Sequence, residues 1–243
     1  MQELKITVGD ITKLDVECIV NAANKSLLGG GGVDGAIHLA AGIELYNECL
    51  TLGGCETGEA KITKGYNLKA KYVIHTVGPV YKQIDPELAE TQLYACYKNT
   101  LELAKANGIR ELAFSAISTG IYGYPPHKAC ATALAAVHDW LVKNEEYDVK
   151  IIFCCYNESM EFYYKRAFEN DSEMLEGAGR RILAEIFSQN PTDKSQTLNL
   201  LEAALATARI EENTLKIRAA KNLISSLKEV SEEDYEIVKN AFV

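Results

Sequence analysis

Short apolar runs alternate with longer amphipathic stretches over the first 170 residues. The runs are rich in β-branched and aromatic residues, which favours strands, and they lie at residues 4–8, 18–20, 72–77, 111–116 and 149–154. Their nearly continuous apolar character predicts strands that are buried on both faces. The stretches between them have helical spacing and fall at residues 33–50, 88–107, 126–144 and 159–169. This alternation predicts an α/β sandwich around a largely parallel or mixed sheet.

The pattern changes after about residue 170, where apolar residues recur only at helical spacing. Residues 190–193 have the composition of a turn, and Ser231 with Asp234 three positions later resembles a capping box. The repeating apolar positions are Leu198, Leu201, Leu205 and Ala208, then Ile217, Ala220, Leu223, Ile224 and Leu227. We therefore predict two domains, an α/β domain over residues 1–170 and an all-helical C-terminal extension over residues 171–243.

Composition excludes several classes of protein. The chain is 47% hydrophobic and 24% charged, which excludes a disordered or collagen-like chain. Its 34 acidic and 25 basic side chains give a formal net charge of −9, so the surface offers no general attraction to nucleic acid or to an anionic membrane. An anionic ligand would have to be held by local geometry.

Cysteine usage and the absence of a leader predict a cytoplasmic protein. The seven cysteines are scattered, without a CxxC pair or a metal-ligand spacing, which is typical of thiols in a reducing compartment. The N-terminal residues enter a strand-like pattern at once, and no stretch approaches about 18 uncharged apolar residues. No metal or other cofactor is implied by any cluster of side chains.

The strongest local feature is a glycine-rich loop between a strand and a helix. The strand ends in Asn21-Ala22-Ala23-Asn24, and four glycines, Gly29 to Gly32, precede the helix that carries Asp34 and His38. Such a loop exposes backbone N–H groups that can approach a phosphate, beside the positive end of the helix dipole. A flexible surface loop is the alternative, but the amide, carboxylate and imidazole close by favour a binding site.

Two better-known phosphate-binding motifs fit this loop poorly. Gly30, Gly32 and Gly35 satisfy G-x-G-x-x-G, yet residues 22–28 separate them from the strand, whereas the dinucleotide fingerprint follows its strand directly. A P-loop is excluded because no Gly-Lys-Ser/Thr follows the glycines. A nicotinamide-dependent oxidoreductase is therefore the least favoured function.

Other strand ends supply further candidate ligand contacts. A second glycine-containing loop, residues 116–123, also follows a strand and precedes a helix, so the two loops are placed to hold one diphosphate from both sides. Tyr156 and Asn157 follow another strand, and Asp10 and Ile11 follow the first. An aromatic face and a carboxylate at a pocket rim suit an adenine ring.

The histidines and paired cysteines have weaker signals. His38 lies four residues after Asp34 and therefore on the same helical face, where it can orient the carboxylate; a histidine satisfied by backbone is the alternative. His75 is interpreted as a packed strand residue rather than a catalyst. Cys154 and Cys155 point to opposite faces of a strand, which favours a role in the core.

Taken in order, these segments resemble the macrodomain family, and within it the MacroD-type branch that removes ADP-ribose from proteins and hydrolyses O-acetyl-ADP-ribose. The resemblance covers roughly residues 1–170. It is carried by residues 9–11, 21–24, 29–38, 53–60, 74–79 and 117–123. It implies a three-layer α/β/α sandwich around a mixed six-stranded sheet, with ADP-ribose bound in a cleft at the strand ends.

The resemblance also implies roles for individual residues. Asp10 and Ile11 would contact adenine, Tyr156 would stack on it, and the two loops would enclose the diphosphate. Asn24 would bind the distal ribose and Asp34 would lie near the scissile bond; with His38 beside it, the predicted catalytic residues are Asn24, Asp34 and His38. The predicted ligand-binding residues are Asp10, Ile11, Ala22, Gly30, Gly31, Gly32, Val33, Ser118, Thr119, Gly120, Ile121, Tyr122, Tyr156 and Asn157.

The predicted function is hydrolysis of mono-ADP-ribose from acidic protein side chains and deacetylation of O-acetyl-ADP-ribose. The main rival is a reader that binds ADP-ribose without cleaving it, and a nucleic acid end carrying ADP-ribose ranks lower as a substrate because the protein is acidic. Two positions depart from the family, which often has proline at Ser115 and an acidic residue at Asn157. Residues 171–243 have no counterpart in it, and a packed cap is favoured over a module that selects substrates or partners.

Overall fold

The computed structural model describes residues 2–240, and the chain divides between Ala167 and Phe168 into two compact units. The first unit contains one six-stranded sheet in the order β1-β6-β5-β2-β4-β3. All neighbouring strands are parallel except β3 and β4, which are antiparallel, so the predicted mixed six-stranded sheet is confirmed. The strands are β1 (Glu3–Val8), β2 (Cys18–Ala23), β3 (Ala60–Lys64), β4 (Tyr72–Val77), β5 (Glu111–Phe114) and β6 (Lys150–Cys155).

Helices cover both faces of this sheet, because alternate residues of the central strands point to opposite sides. On one face α1 and α2 enclose a core that includes Ile19 and Val73. On the other face aromatic rings pack, with Phe114 4.8 Å from Tyr97 of α3 between ring centroids. The predicted three-layer α/β/α sandwich is therefore confirmed. The helices that begin in this unit are α1 (Gly32–Ala41), α2 (Ile43–Thr51), α3 (Pro86–Ala106), α4 (Pro126–Lys143) and α5 (Glu158–Phe187).

The structure of the first unit differs from the apolar pattern at several elements. Strand β1 lies at the edge of the sheet and its residues are exposed or half-buried, so the prediction that it is buried on both faces is wrong. The helix predicted over residues 33–50 is two helices, because Gly42 adopts φ 91°, a conformation that favours glycine and ends α1. Strand β3 was not predicted, since its sequence Ala-Lys-Ile-Thr-Lys has no apolar run.

Within its described residues, the second unit consists of helices joined by short turns, which confirms the predicted all-helical extension. Helix α5 continues to Phe187 instead of ending at residue 169, and it is followed by α6 (Lys194–Ile210), α7 (Thr214–Glu229) and α8 (Glu232–Asn240). The side chain of Asp193 caps α6, and the Ser231 hydroxyl accepts a hydrogen bond from the Asp234 backbone N–H at 3.1 Å, as the capping box predicts. Tyr235 is fully buried and hydrogen-bonds Thr197 at 2.8 Å.

None of the helices within residues 2–240 combines the length and the apolar character that a membrane span requires.

Candidate active site at the edge of the sheet

The predicted site residues follow four neighbouring parallel strands that end at one edge of the sheet. Asp10 follows β1, Tyr156 follows β6, the loop of residues 115–125 follows β5, and Asn24 follows β2. Adjacent strands lie about 4.8 Å apart, so the edge from β1 to β2 spans about 14 Å. The sheet therefore arranges these residues in a line, in the order that a ligand with an aromatic end, a diphosphate and a distal sugar would need.

Asn24 fixes the start of the glycine-rich loop. Its Nδ2 donates to the Gly29 carbonyl at 2.8 Å, and its Oδ1 accepts from the backbone N–H and the hydroxyl of Ser26 at 3.0 and 2.6 Å. The same Nδ2 lies 3.3 Å from Asp34 Oδ2. A Cβ added to Gly30 would stand 3.1 Å from both Asn24 Nδ2 and Asp34 Oδ2, so a side chain there would have to displace one of these polar groups.

The second loop approaches the first. A Cβ added to Gly31 would lie 3.2 Å from Cδ1 of Ile121, whose side chain is 83% exposed. Ser118, with φ 63°, occupies the left-handed region that non-glycine residues rarely adopt, and its buried hydroxyl has no hydrogen-bond partner among the described residues. Such strain and an unpaired buried polar group are found at functional sites more often than elsewhere.

Asp34 is the most constrained acid of the site. It lies in the first turn of α1 with 4% of its surface exposed. Asn21 Nδ2 donates to Oδ1 at 2.7 Å, and His38 Nε2 lies 3.6 Å from the same oxygen. Burial raises the pKa of Asp34 above its ordinary value, and the hydrogen bond from Asn21 and the nearby His38 oppose part of this rise.

The structure therefore brings the three predicted catalytic residues together. The contact between His38 and Asp34 confirms that the two share a helical face, although His38 Nε2 makes no hydrogen bond within the described part of the chain. Ala22 and Val33 are half-buried on either side of the loop, and Gly32 has φ 62°. The buried carboxylate thus lies next to the exposed glycines Gly30, Gly31 and Gly32.

The residues at the opposite end of the edge are open. Asp10 is exposed, and its Oδ1 accepts from the backbone N–H and hydroxyl of Thr12 at 2.9 and 2.7 Å, which lowers the pKa of Asp10. Ile11 beside it is buried, whereas Tyr156 is 87% exposed. Asn157 Oδ1 accepts from the Met160 backbone N–H at 2.9 Å, so its side chain caps α5.

Sequence reasoning did not identify the partners behind Asp34. Asn21 lies within a quoted motif without an assigned role, and His75 was interpreted only as a packed strand residue. His75 is indeed fully buried, and burial first, then the nearby His38, lowers its pKa to about 3. Polar residues inside the apolar runs Ile-Val-Asn-Ala-Ala and Val-Ile-His-Thr-Val were the available signal, since a buried polar side chain requires a partner.

One group of side chains has donor atoms close enough to consider a metal. The ligand atoms of His38, Cys49 and His75 lie within 4.8 Å of one another, the one such group within residues 2–240. Both nitrogens of His75 already lie within hydrogen-bonding distance of Asn21 and Thr63, and burial raises the pKa of the Cys49 thiol to about 11. Hydrogen bonds to Asn21 and Thr63 therefore account for the position of His75 in this group.

A shallow surface pocket also borders the loop that follows β2. It shares no residue with the predicted ligand-binding set, and it is lined by Lys25, Ser26, Leu28, Cys49, Leu50, Gly53 and Gly54. The hydrogen-bonded cluster around Asp34 is a better candidate for the active site than this pocket, because it combines burial, a shifted pKa and several polar groups that point to one place.

Comparisons with known proteins identify the family. The sequence profile of the Macro domain matches residues 20–133. A Macro domain-containing protein from Mesorhizobium japonicum is 52% identical over 167 residues, which are 69% of this chain and 94% of the relative. Human ADP-ribose glycohydrolase MACROD2 is 52% identical over 165 residues, 68% of this chain, and the chain spans 39% of that relative's length.

Solved structures agree with the sequence comparisons. The Oceanobacillus iheyensis macrodomain with ADP matches with a TM-score of 0.65 and 45% identity, over 70% of this chain and 92% of the other. A Trypanosoma brucei macrodomain in complex with ADP-ribose matches with a TM-score of 0.64 and 42% identity, over 68% and 69% of the two chains. From the fold, the profile and these relatives together, the chain belongs to the macrodomain family.

Proposed function

We propose that the protein hydrolyses ADP-ribosyl esters, releasing mono-ADP-ribose from acidic protein side chains and deacetylating O-acetyl-ADP-ribose. The observation that carries the proposal is the buried Asp34 carboxylate, held by Asn21 and close to Asn24 under the glycine-rich loop. A protein that only binds ADP-ribose has no need of a buried carboxylate beside the distal ribose. The family and the ADP-ribose glycohydrolases related to this chain support the same activity.

In the proposed binding mode, ADP-ribose lies along the strand edge from β1 to β2. Adenine stacks on the exposed Tyr156 and donates its amino hydrogen to Asp10, whose Oδ2 is not used by Thr12. The diphosphate accepts hydrogen bonds from backbone N–H groups of the Gly30 to Val33 and Ser118 to Tyr122 loops. This leaves the distal ribose beside Asn24 and Asp34.

The proposed reaction is the addition of water to the ester carbonyl. A bond forms between the water oxygen and the carbonyl carbon, the bond from that carbon to the ribose oxygen breaks, and a water proton ends on the ribose oxygen. Asp34 orients the water and accepts its proton in transit, with a diphosphate oxygen of the substrate as the alternative acceptor. Because the loops hold the ester within reach of that water, much of the rate comes from positioning. No metal or other cofactor enters this scheme.

The remaining parts of the proposal concern the chain around this site. Residues 1–170 bind and hydrolyse the ligand, and residues 171–243 have no assigned role, with a packed helical cap favoured over a partner-binding module. All seven cysteines are buried free thiols, which supports the proposed cytoplasmic location. The proposed partners are ADP-ribose, O-acetyl-ADP-ribose and mono-ADP-ribosylated proteins. Nucleic acid and membranes are less favoured as partners, because the net charge of −9 does not attract polyanions.

The experiment that tests the proposal measures release of free ADP-ribose. The purified protein is incubated with a protein mono-ADP-ribosylated on acidic side chains and, separately, with O-acetyl-ADP-ribose, beside an Asp34→Ala control. We expect release from both substrates by the wild type and very little by the control. If neither substrate is consumed while calorimetry detects ADP-ribose binding, the protein is a reader and the hydrolase proposal is wrong.

A further inference from the structure

A row of buried polar side chains crosses three strands behind Asp34. Asn21 on β2, His75 on β4 and Thr63 on β3 are 0%, 0% and 2% exposed, and Asn21 and His75 are direct register partners in adjacent parallel strands. They interrupt the apolar core between the sheet and α1 and α2. Apolar residues would fill this position without desolvating three polar groups, so the row calls for an explanation beyond packing.

The hydrogen bonds of the row define the orientation of the Asn21 amide. Asn21 Nδ2 lies 2.7 Å from Asp34 Oδ1 and 3.1 Å from His75 Nδ1, so each of its two hydrogens has one acceptor. Rotating the amide by half a turn would place its oxygen against the Asp34 carboxylate, with two acceptors facing each other. The amide nitrogen therefore points to both groups, and Asn21 Oδ1 is left without a partner among the described residues.

This orientation also defines the tautomer of His75. Because Nδ1 accepts from Asn21, the ring proton is on Nε2, which faces the Thr63 hydroxyl at 2.9 Å. The Thr63 hydroxyl in turn lies 3.5 Å from the Val73 carbonyl, which can accept its proton. Since burial lowers the pKa of His75 to about 3, the ring stays neutral near neutral pH and Nδ1 stays an acceptor.

We propose that His75 is a positioning residue, which as a neutral Nε2–H imidazole holds the Asn21 amide so that it donates to Asp34 and keeps that carboxylate oriented. The inference rests on the proposed function, because Asp34 is the group proposed to act on water. Its effect on the reaction is indirect, since His75 reaches the carboxylate only through Asn21. Thr63 extends the same relay by fixing the ring proton on Nε2.

Other groups around Asp34 do not replace this contact. Asn24 Nδ2 lies farther away, at 3.3 Å, and His38 Nε2 lies at 3.6 Å. Tyr122 from the second loop and Cys49 from α2 also face this region; burial raises the pKa of each, and the charge of Asp34 adds to the rise. The bond from Asn21 is thus the shortest that Asp34 accepts from these groups, and its loss should raise the Asp34 pKa further.

Three substitutions of His75 distinguish the role of ring nitrogen Nδ1 from that of Nε2. His75→Gln places an amide N–H near the Nε2 position and loses the acceptor for Asn21, whereas His75→Asn places an oxygen near the Nδ1 position and keeps it. His75→Leu removes both. Cys49→Ala is the matched control, because the Cys49 sulfur lies 3.8 Å from His75 Nε2 in the same core but does not contact Asn21 or Asp34 in the relay.

We expect His75→Gln and His75→Leu to lower kcat by about tenfold or more, as expected when a carboxylate loses one oriented donor. The affinity of these two variants for ADP-ribose should stay within about twofold of the wild-type value. The acidic side of their plot of kcat against pH, called here the acid limb, should move to higher pH. His75→Asn should restore most of kcat, and Cys49→Ala should leave kcat and the limb unchanged. Equal loss of kcat in all four variants, or an unmoved limb in His75→Gln, would overturn the inference.

Nuclear magnetic resonance tests the same inference without catalysis. The ring nitrogen shifts of His75 in the wild-type protein should report a neutral Nε2–H ring from about pH 5 to about pH 8. The carboxyl carbon shift of Asp34 should titrate at a higher pH in His75→Gln than in the wild type. An Nδ1–H ring, or an unchanged Asp34 titration, would overturn the positioning role even in a protein that folds normally.

The two proposals fail in different ways. If the wild type releases no ADP-ribose but the Nε2–H ring and the shifted Asp34 titration are observed, the hydrolase proposal fails and the relay stands as an arrangement of the binding site. If the wild type is active and its His75 ring carries the Nδ1 proton, the hydrolase proposal stands and the positioning role fails.

Discussion

Asp34 lies where the central strand β2 ends, is 4% exposed and accepts a 2.7 Å hydrogen bond from Asn21. At the end of the outer strand β1, by contrast, Asp10 is exposed, and the nearby Tyr156 is 87% exposed. The pKa of Asp34 is raised by burial, and that of Asp10 is lowered by the hydrogen bonds from Thr12. The two carboxylates therefore differ in burial and in the direction of their pKa shift. In the proposed binding mode, the buried carboxylate exchanges a proton with water at a higher pH, while the exposed one stays ionised and accepts a hydrogen bond from adenine.

Exchanging each carboxylate for its isosteric amide should produce the largest contrast between the two ends. Asp34→Asn should lower kcat by about a hundredfold to ten-thousandfold, the range for loss of a general base, with little change in ADP-ribose affinity. Asp10→Asn should leave kcat nearly unchanged and weaken ADP-ribose binding by about tenfold or less. Steady-state kinetics and calorimetry measure both. Equal losses of turnover in the two variants would erase the distinction.

A bulky, charged side chain in the glycine-rich loop, between the Asp10 and Asp34 ends of the site, should abolish ADP-ribose binding. A Cβ on Gly31 already meets Ile121 Cδ1 at 3.2 Å, and Gly31→Glu adds a carboxylate where the diphosphate is proposed to lie. ADP-ribose affinity should fall by about a hundredfold or more, since like charges and lost backbone contacts add. Gly177→Glu, on α5, introduces the same charge as a control and should bind normally. Retained affinity in Gly31→Glu would exclude the loop as a phosphate site.

Removing the aromatic ring at the open end should have a smaller effect. Tyr156→Ala should weaken ADP-ribose binding by about two- to tenfold, the value of one aromatic stacking contact, with kcat unchanged. Tyr156→Phe retains the ring and should bind as the wild type does. The affinities of the three proteins, measured by calorimetry, test this directly. A weak Tyr156→Phe variant would mean that the hydroxyl carries the contact instead.

The smallest effect on binding is expected at Asn157, because its side chain already caps α5. Asn157→Ala should cost about 1 kcal/mol of unfolding free energy while changing ADP-ribose affinity by less than about twofold. Asn157→Asp should keep the cap and therefore the stability. Thermal unfolding and calorimetry on the same samples measure both quantities. A large loss of affinity without loss of stability would instead make Asn157 a ligand contact.

The sequence allowed five of the six strands of the first unit to be predicted, because each of the five contains an apolar run. Strand β4 was predicted with its observed bounds, because its apolar run is buried by neighbours on both sides. Strand β3 was missed because its sequence Ala-Lys-Ile-Thr-Lys has no apolar run. The helix over residues 33–50 was not divided because Gly42 gives no signal distinct from a tolerated helical glycine. Edges and breaks depend on tertiary position, which the apolar pattern does not contain.

The candidate site divides in the same way. The approach of Asp34 to His38 was predictable, because a separation of four residues fixes the distance on one helix. The contact between Asn21 and His75 was not, because the register of two strands 54 residues apart depends on the assembled sheet. The spacing of residues along the sequence therefore predicts contacts within one helix. Contacts between neighbouring strands can be predicted only when the strand order and register are known.

The most direct test of the buried Asp34 as the acting carboxylate is the pH dependence of single-turnover hydrolysis by the wild type and Asp34→Asn. Because burial raises the Asp34 pKa, the rate should fall as the pH drops through a value above the ordinary aspartate pKa of about 3.9. Asp34→Asn should have a low rate without that acid limb. A wild-type rate that stays flat down to about pH 4, or an acid limb that persists in Asp34→Asn, would contradict the assignment of Asp34.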